Sequence, residues 1–298
     1  MIGAKHRLEF RTIVIAADLA HSGSSALAYA RRIAQIHGSQ IVIVHTIDPA
    51  GYAFPDGMPK FARLDRKARA VLKTIEQDLR NEGIPVHSAV ETSAIYDLIL
   101  QAAHDHHADL LVLGTRAAKV IGRAALGTVA RHLLAVAPCP ILTVPPTANA
   151  NLGWGGRWEI VLAGTDFSPA SLAALDYAQF LAGSQLFVVH ATSDSVGQDH
   201  LRHLERLRFF APFNESHTVP VEHIVTVGEA GALVAEHANR LHADLVVLGS
   251  PENELKSKDL APGTIMQVIS NVNCPVLCVP ARFRAAAVKS VCELACAG

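Results

Sequence analysis

A basic stretch in the first half of the chain has the residue types that bind phosphate. Gly114-Thr115-Arg116 is followed by Gly127-Thr128-Val129. The segment from Gly114 to Arg131 has no acidic residue and contains four basic ones: Arg116, Lys119, Arg123 and Arg131. A helix that begins Gly-Thr-Val offers backbone N–H groups, a hydroxyl and the positive end of a helix dipole to an anion. The segment therefore predicts a phosphate-binding site.

Two polar residues that follow short apolar runs are candidates for the same site. Asp18 follows the run 13–17, and Thr46 follows the run 41–44 and His45. Short runs rich in β-branched residues are typical of parallel strands that are buried on both faces. Ligands of open parallel sheets bind outside the carboxyl ends of the strands. We therefore expect Asp18, Thr46 and Gly114 to lie at one edge of a sheet.

The chain contains two copies of one domain-sized sequence. The segment Ala108–Gly114 returns as Ala243–Gly249, and Cys139–Pro145 returns as Cys274–Pro280 at the same spacing. A repeat of about 140 residues is far longer than the repeats of solenoid proteins. We therefore divide the chain into a first domain (1–147), a linker (148–157), a second domain (158–281) and a C-terminal tail (282–298).

The alternation of short apolar runs and helical stretches predicts the α/β class. We expect two tandem doubly wound domains, each with a mainly parallel five-stranded sheet and helices on both faces. In the first copy, helices are expected at 60–82, 93–107 and 127–136, and later strands at 86–90, 110–113 and 141–144. A glycine-containing loop is expected between the strand 110–113 and the last helix.

Composition excludes several classes of protein. The formal net charge of −1 gives no general attraction for nucleic acid. The apolar runs are too short to span a membrane, and the N-terminus lacks a signal-peptide core, so we expect a cytoplasmic protein. Five scattered cysteines do not form a disulfide framework.

The order of elements and several motifs resemble the universal stress protein family. The motifs are Gly114-Thr115-Arg116, Leu126–Ala130 and Ala137–Pro145 in the first copy, and Thr165–Ser168 in the second. The resemblance covers about residues 10–146 and 158–281. It implies a non-enzymatic stress-response protein that binds ATP or AMP, with or without Mg²⁺.

The resemblance also implies which residues contact the nucleotide. ATP-binding members have a glycine, two residues, a second glycine, nine residues and then Gly-Ser or Gly-Thr; Ala117 replaces the second glycine here. Asp18 corresponds to the aspartate beside the nucleotide, and the backbone of Thr46 to the group that meets adenine. The implied contact residues are Asp18, Thr46, Gly114, Arg116, Ala117, Gly127, Thr128 and Val129.

The second copy departs further from the pattern. Glu252 replaces the second glycine, and the spacing from Gly249 to Gly263-Thr264 is one residue longer. The loop carries three acidic residues and two lysines: Glu252, Glu254, Asp259, Lys256 and Lys258. Carboxylates repel a phosphate group because both are negatively charged, so we expect a degenerate site in this copy.

Alternatives remain open for several residues. One alternative function is a nucleotide-free interaction scaffold. Another is an ATP-using enzyme, although the sequence supplies no catalytic group for it. The dense group His104-Asp105-His106-His107 suggests a metal site or a solvated helix end. His45 and His190 recur in both copies, which favours a structural hydrogen bond to a neighbouring loop over catalysis.

The last strand of each copy suggests a mode of self-association. Ile141–Val144 and Val276–Val279 are expected to be sheet edges, and an unpaired apolar edge needs a cover. In the family these strands meet across a two-fold axis. The resemblance therefore implies a pseudo-dimer within one chain, and two chains can pair again as a homodimer.

Overall fold

The computed structural model describes most of the chain. The described residues are 10–16, 25–46, 57–91, 95–115, 118–120, 123–125, 128–148, 150, 152–153, 156–193, 198–212, 219–250 and 263–281. They form two compact units: the first unit comprises Phe10–Asn151, and the second comprises Leu152–Val272 with the segment from Val276.

The first unit alternates strands and helices along the sequence. Its elements are β1 (Thr12–Ala16), α1 (Ser25–His37), β2 (Gln40–Thr46), α2 (Gly57–Asn81), β3 (Val86–Glu91), α3 (Ile95–Asp105), β4 (Leu110–Gly114), β5 (Ala118–Val120), β6 (Arg123–Ala125), α4 (Thr128–Val136) and β7 (Ile141–Val144). The main sheet is parallel throughout, in the order β7-β4-β1-β2-β3.

The second unit repeats this arrangement without the small β5–β6 pair among its described residues. Its elements are β8 (Trp158–Gly164), α5 (Pro169–Leu181), β9 (Ala182–Thr192), α6 (Gln198–Phe210), β10 (Val221–Val227), α7 (Ala230–Arg240), β11 (Leu245–Ser250), α8 (Thr264–Asn271) and β12 (Val276–Pro280). Its parallel sheet has the order β12-β11-β8-β9-β10. Each unit is thus a five-stranded doubly wound sheet, and the predicted fold class is confirmed.

The central strands form the core of each unit. Residues 12–15 of β1, 110–113 of β4 and 245–248 of β11 are all buried. Helices cover both faces of these strands, so that consecutive residues are apolar rather than alternately apolar and polar. This explains why the strands could be recognised from short apolar runs.

Two local features were not expected from the sequence. β5 and β6 pair as an antiparallel hairpin inside the stretch that was expected to be a loop, and this hairpin carries Lys119 and Arg123. In the second unit, α5 ends at Leu181 and β9 begins at Ala182, so that no loop residue separates them. The two residues between these strands, Ile121 and Gly122, are not the Asn-Gly or Asp-Gly pair that indicates a two-residue hairpin, so the sequence pattern did not identify it.

Candidate functional site

The predicted nucleotide-contact residues of the first unit fall at one edge of its sheet where the structure describes them. Ala16 of β1 pairs with Val44 of β2 and with Leu113 of β4, so these three strands end close together. Thr46 is the half-buried last residue of β2, and Gly114 is the exposed last residue of β4. These two residues therefore lie where a ligand of a parallel sheet binds.

The other predicted residues are described in part or lie outside the described residues. Thr128 and Val129 form the first turn of α4, where the structure describes their backbone. Asp18, Arg116, Ala117 and Gly127 lie outside the described residues. Their roles remain predictions from the sequence.

The second unit has a cleft at the carboxyl ends of its strands. The cleft holds about 600 Å³ of space, including the part that opens to solvent. Strand ends and helix starts supply its lining: Gly164, Thr165, Asp166, Ser168, Ser171, Val189, Ala191, Ala230, Val234, Leu248, Gly249, Thr264 and Ile265. The cleft lies where ligands of open parallel sheets bind.

A network of hydroxyl groups fixes the loop between β8 and α5, which forms one wall of the cleft. Oδ1 of Asp166 accepts a hydrogen bond from the backbone N–H of Ser168 at 2.9 Å. Oγ1 of Thr165 accepts one from the N–H of Phe167 at 3.0 Å and lies 3.0 Å from Oγ of Ser171. Ser168 also caps α5, because its hydroxyl accepts from the N–H of Ser171.

The carboxyl group of Asp166 is ionised at neutral pH. Burial alone would raise its pKa, but hydrogen bonds from Ser168 and Ser171 more than offset burial, so the pKa is lowered. Asp166 is the counterpart of Asp18, because Thr165-Asp166 begins the corresponding turn of the second copy. The cleft of the second unit thus presents a negative charge beside its helix starts.

The first turn of α8 leaves backbone donors available to the cleft. Gly263 is the residue before the helix, and no side chain caps this end. The first N–H groups of a helix have no partner within the helix. A Cβ atom added to Gly263 would meet no described atom within 4 Å, so the described residues leave open space beside these donors.

The repeated glycines Gly249 and Gly114 have different surroundings. A Cβ atom on Gly249 would lie 2.3 Å from the backbone N of Ser171 and 2.4 Å from the carbonyl C of Ala170. A Cβ atom on Gly114 would lie 3.7 Å from Cβ of Ala26, which is an ordinary contact. Gly249 therefore allows α5 to start directly against β11. The repeat in the sequence does not reveal this packing role.

A cluster of rings joins α6 to the β8–α5 loop, and we call it the ring cluster. Its members are Phe167, His190, His203, Arg206 and Phe210. The ring centroid of His190 lies 4.5 Å from that of Phe167 and 4.6 Å from that of His203. The guanidinium carbon of Arg206 lies 3.9 Å from the centroid of Phe167, which is a cation–π contact.

His190 bonds to the neighbouring loop, as the sequence repeat suggested. Its Nδ1 atom lies 2.8 Å from the carbonyl oxygen of Thr165, and the side chain is buried. Burial lowers the pKa of His190, and the nearby His203 and Arg206 lower it further. His190 is therefore neutral at neutral pH.

The histidines at the end of α3 have different neighbours. Among the described residues there is no group of three or more His, Cys, Asp or Glu side chains that could hold a metal ion. The side chain of His104 is 85% exposed, and its Nδ1 lies 3.3 Å from Oδ1 of Asp105. His106 stacks on His87 with ring centroids 5.9 Å apart.

Among the residues that the structure describes, no helix is both long and apolar enough to cross a membrane.

Comparison with known proteins identifies the family. The model of the universal stress protein family matches residues 9–145 and 157–280. A Thermus aquaticus relative, the universal stress protein in the QAH/OAS sulfhydrylase 3′ region, is 34% identical over 139 residues, covering 45% of this chain and 98% of that protein.

Two solved structures share the fold over nearly the whole chain. A universal stress protein from Archaeoglobus fulgidus DSM 4304 has a TM-score of 0.69 at 18% identity, covering 91% of this chain and 98% of that one. A protein of unknown function from Pseudomonas aeruginosa PAO1 has a TM-score of 0.66 at 19% identity, covering 95% and 98%. The two family matches and the two doubly wound units together show that this chain belongs to the universal stress protein family.

Proposed function

We propose that the protein is a non-enzymatic, cytoplasmic regulator of the stress response that binds ATP or AMP in its first unit, with or without Mg²⁺. The cleft of the second unit is the observation that carries this proposal. It brings Asp166, Gly249 and Thr264 to the edge of one sheet. Their counterparts in the repeat are Asp18, Gly114 and Thr128, which are among the predicted contact residues.

The chemistry of such a cleft suits a nucleotide. The first turn of α4, beginning at Thr128, would supply N–H groups and a hydroxyl to the phosphates, as a helix start does for anions. Thr46 and Gly114 end neighbouring strands at the same edge. The backbone of Thr46 would meet adenine, and the carboxylate of Asp18 would accept a hydrogen bond from the nucleoside.

Charge favours the first unit over the second. The stretch from Gly114 to Arg131 has four basic residues and no acidic one. The corresponding loop of the second copy has three carboxylates and two lysines, whereas the aspartate after the first strand, Asp18 or Asp166, is common to both copies. Both copies begin the last helix with Gly-Thr, so charge and loop spacing should decide which one binds phosphate. We therefore propose one nucleotide per chain.

Self-association through the final strands is part of the proposal. Within its own unit, β7 pairs with β4 and β12 pairs with β11, so that each final strand has one neighbour there. Sedimentation of the purified chain would measure whether chains also form homodimers.

Titration calorimetry with a matched pair of variants tests nucleotide binding and its location. Gly127→Leu would place a side chain in the phosphate space of the first unit and should abolish ATP binding. Gly263→Leu is the control, because a side chain at Gly263 enters open space. Wild type should bind one nucleotide and Gly263→Leu should bind it equally. Two nucleotides per chain, or loss of binding only in Gly263→Leu, would contradict the assignment.

The alternative is a nucleotide-free interaction scaffold of the same fold. Mass spectrometry of the denatured purified protein would detect a nucleotide that remains bound during purification. The scaffold would replace our proposal if no nucleotide is released and calorimetry detects no binding of ATP or AMP.

A further inference from the structure

The ring cluster places two histidines beside a cation at the point where α6 meets the β8–α5 loop. His190 is 7% exposed and lies between the rings of Phe167 and His203. Arg206, on the same helix as His203, lies over the ring of Phe167. The cluster therefore packs closely only while His190 is uncharged, because Arg206 would repel a positive charge on His190.

The hydrogen bond of His190 determines where a further proton would go. A carbonyl oxygen only accepts, so Nδ1 of His190 must carry the hydrogen that is donated to Thr165. The remaining site of protonation is Nε2. Nδ1 of His203, on the ring beside His190, is buried and has no hydrogen-bond partner among the described residues.

A positive charge on His190 would be repelled by its neighbours more than it would be attracted. His203 and Arg206 disfavour its protonated form, and Asp166 favours it. β10 adds one more histidine, because His223 is two residues from Val225, which pairs with His190. Nε2 of His223 lies 2.8 Å from the carbonyl oxygen of Ala211, which ties it to the end of α6. The charged and titratable groups named around His190 are thus two further histidines, one arginine and one carboxylate.

The loop that the cluster holds is under backbone strain. Phe167 has φ of 63°, in the left-handed region that side chains other than glycine rarely adopt. Such a conformation persists only when its surroundings enforce it. The contacts of Phe167 with His190, His203 and Arg206 hold the backbone of Phe167 in this conformation. Asp166 and Ser168, on either side of Phe167, line the cleft.

We propose that the ring cluster is a proton-operated latch: a proton taken up at Nε2 of His190 drives α6 away from the loop 165–168 and so loosens one wall of the second-unit cleft. The latch belongs to the second unit. In the first copy the counterpart of Phe167 is Leu19, and α2 contains no histidine. The latch is independent of any nucleotide in the first unit.

Hydrogen exchange on the full-length chain tests the latch. Protection factors, corrected for the intrinsic exchange rate at each pH, are measured at pH 7.5 and pH 5.5. In the wild type, peptides that cover 165–168 and 198–210 should lose about tenfold protection at the lower pH, as expected for local opening. Peptides from α7 and α8 should lose clearly less protection, which distinguishes local opening from unfolding of the whole unit.

Two variants remove the charges while preserving shape. In His190→Asn with His203→Phe, an amide replaces the Nδ1–H donor and a phenyl ring replaces the second imidazole, and the acid response should vanish. Arg206→Met keeps a long stem over Phe167 without the charge and should reduce the response. His104→Gln is the control, because that side chain is 85% exposed. It should respond like the wild type.

Three outcomes would overturn the latch. The first is equal protection of α6 in the wild type at both pH values. The second is an acid response in the double variant as large as in the wild type. The third is opening that spreads equally through α7 and α8. The first outcome requires no variant, so the test stands even if a substitution prevents folding.

Discussion

Oδ2 of Asp244 accepts a hydrogen bond from the backbone N–H of Ile160 at 2.9 Å, and the N–H of Asp244 donates to the carbonyl oxygen of Ile160 at 2.8 Å. Asp109 makes the same connection in the first unit, because its Oδ2 accepts from the N–H groups of Arg11 and Thr12. The aspartate of the repeated Ala-Asp-Leu segment therefore fastens the start of the first strand of each unit. Its repetition reflects the fold rather than a ligand.

We predict that Asp244→Ala destabilises the second unit by about 1–3 kcal/mol, because it leaves a partly buried N–H without its partner. Urea unfolding followed by tryptophan fluorescence measures this, since Trp158 is a buried residue of β8 in the second unit. Glu159→Ala is the control, because this carboxylate on β8 is exposed. An equal loss in both variants would show that the fastening is unimportant.

We predict opposite results for alanine at the two repeated glycines. Gly249→Ala should destabilise the second unit by about 1–3 kcal/mol or more, since backbone atoms of Ala170 and Ser171 occupy the Cβ position. Gly114→Ala should change the free energy of unfolding by less than about 1 kcal/mol. Thermal melting of both variants checks this. A reduced affinity for ATP in Gly114→Ala would then report a ligand contact rather than misfolding.

We predict that Ala117→Gly tightens ATP binding about fivefold, which corresponds to about 1 kcal/mol for an alanine where the family has glycine. The melting temperature should hardly change, because the substitution removes one methyl group from a loop. Calorimetric titration of wild type and variant measures the ratio of dissociation constants. Unchanged or weaker binding would mean that this loop does not approach the phosphates.

We predict that the second unit loses stability in acid through His237 on α7. Nη2 of Arg240 lies 2.6 Å from Nδ1 of His237, and burial, followed by Arg240, lowers the pKa of this histidine. The unfolded chain, with a histidine pKa of about 6.5, then binds the proton more readily than the folded one. The stability that neutral His237 contributes is therefore fully present above about pH 6.5 and is lost as pH falls through the pKa of His237 in the folded unit.

Urea midpoints at pH 7.5 and pH 5.5, read by tryptophan fluorescence, measure that loss. Arg240→Met removes the neighbouring charge and should make the midpoint less dependent on pH. A wild-type midpoint that is equal or higher at pH 5.5 would contradict the prediction. So would an unchanged pH dependence in Arg240→Met.

The sequence allowed the sheets to be predicted because each strand carries its own signal. Runs such as Leu110–Leu113 are apolar over their whole length, and both copies repeat the order of elements, so neighbouring strands follow from the topology. The edge where Thr46 and Gly114 lie was predicted for the same reason, since parallel strands end together.

Contacts between distant segments could not be predicted in the same way. His203 reaches Phe167 only because α6 packs beside β9 and β10, and no spacing in the sequence expresses that distance. Gly249 illustrates a second limit. A glycine beside a phosphate and a glycine beside a helix backbone look identical in a sequence, and only the nearby Ser171 distinguishes them.

The direct passage from α5 into β9 makes this part of the second unit a poor place for insertions or cuts. Leu181 and Ala182 belong to consecutive elements, so no spare residue can absorb an added segment. Gly183 is equally confined, since a Cβ atom there would lie 3.1 Å from the carbonyl oxygen of Trp158. Epitope tags, circular permutation sites and protease sites engineered at this junction should prevent folding, whereas the junction between Asn81 and Val86 has the intervening turn that such changes require.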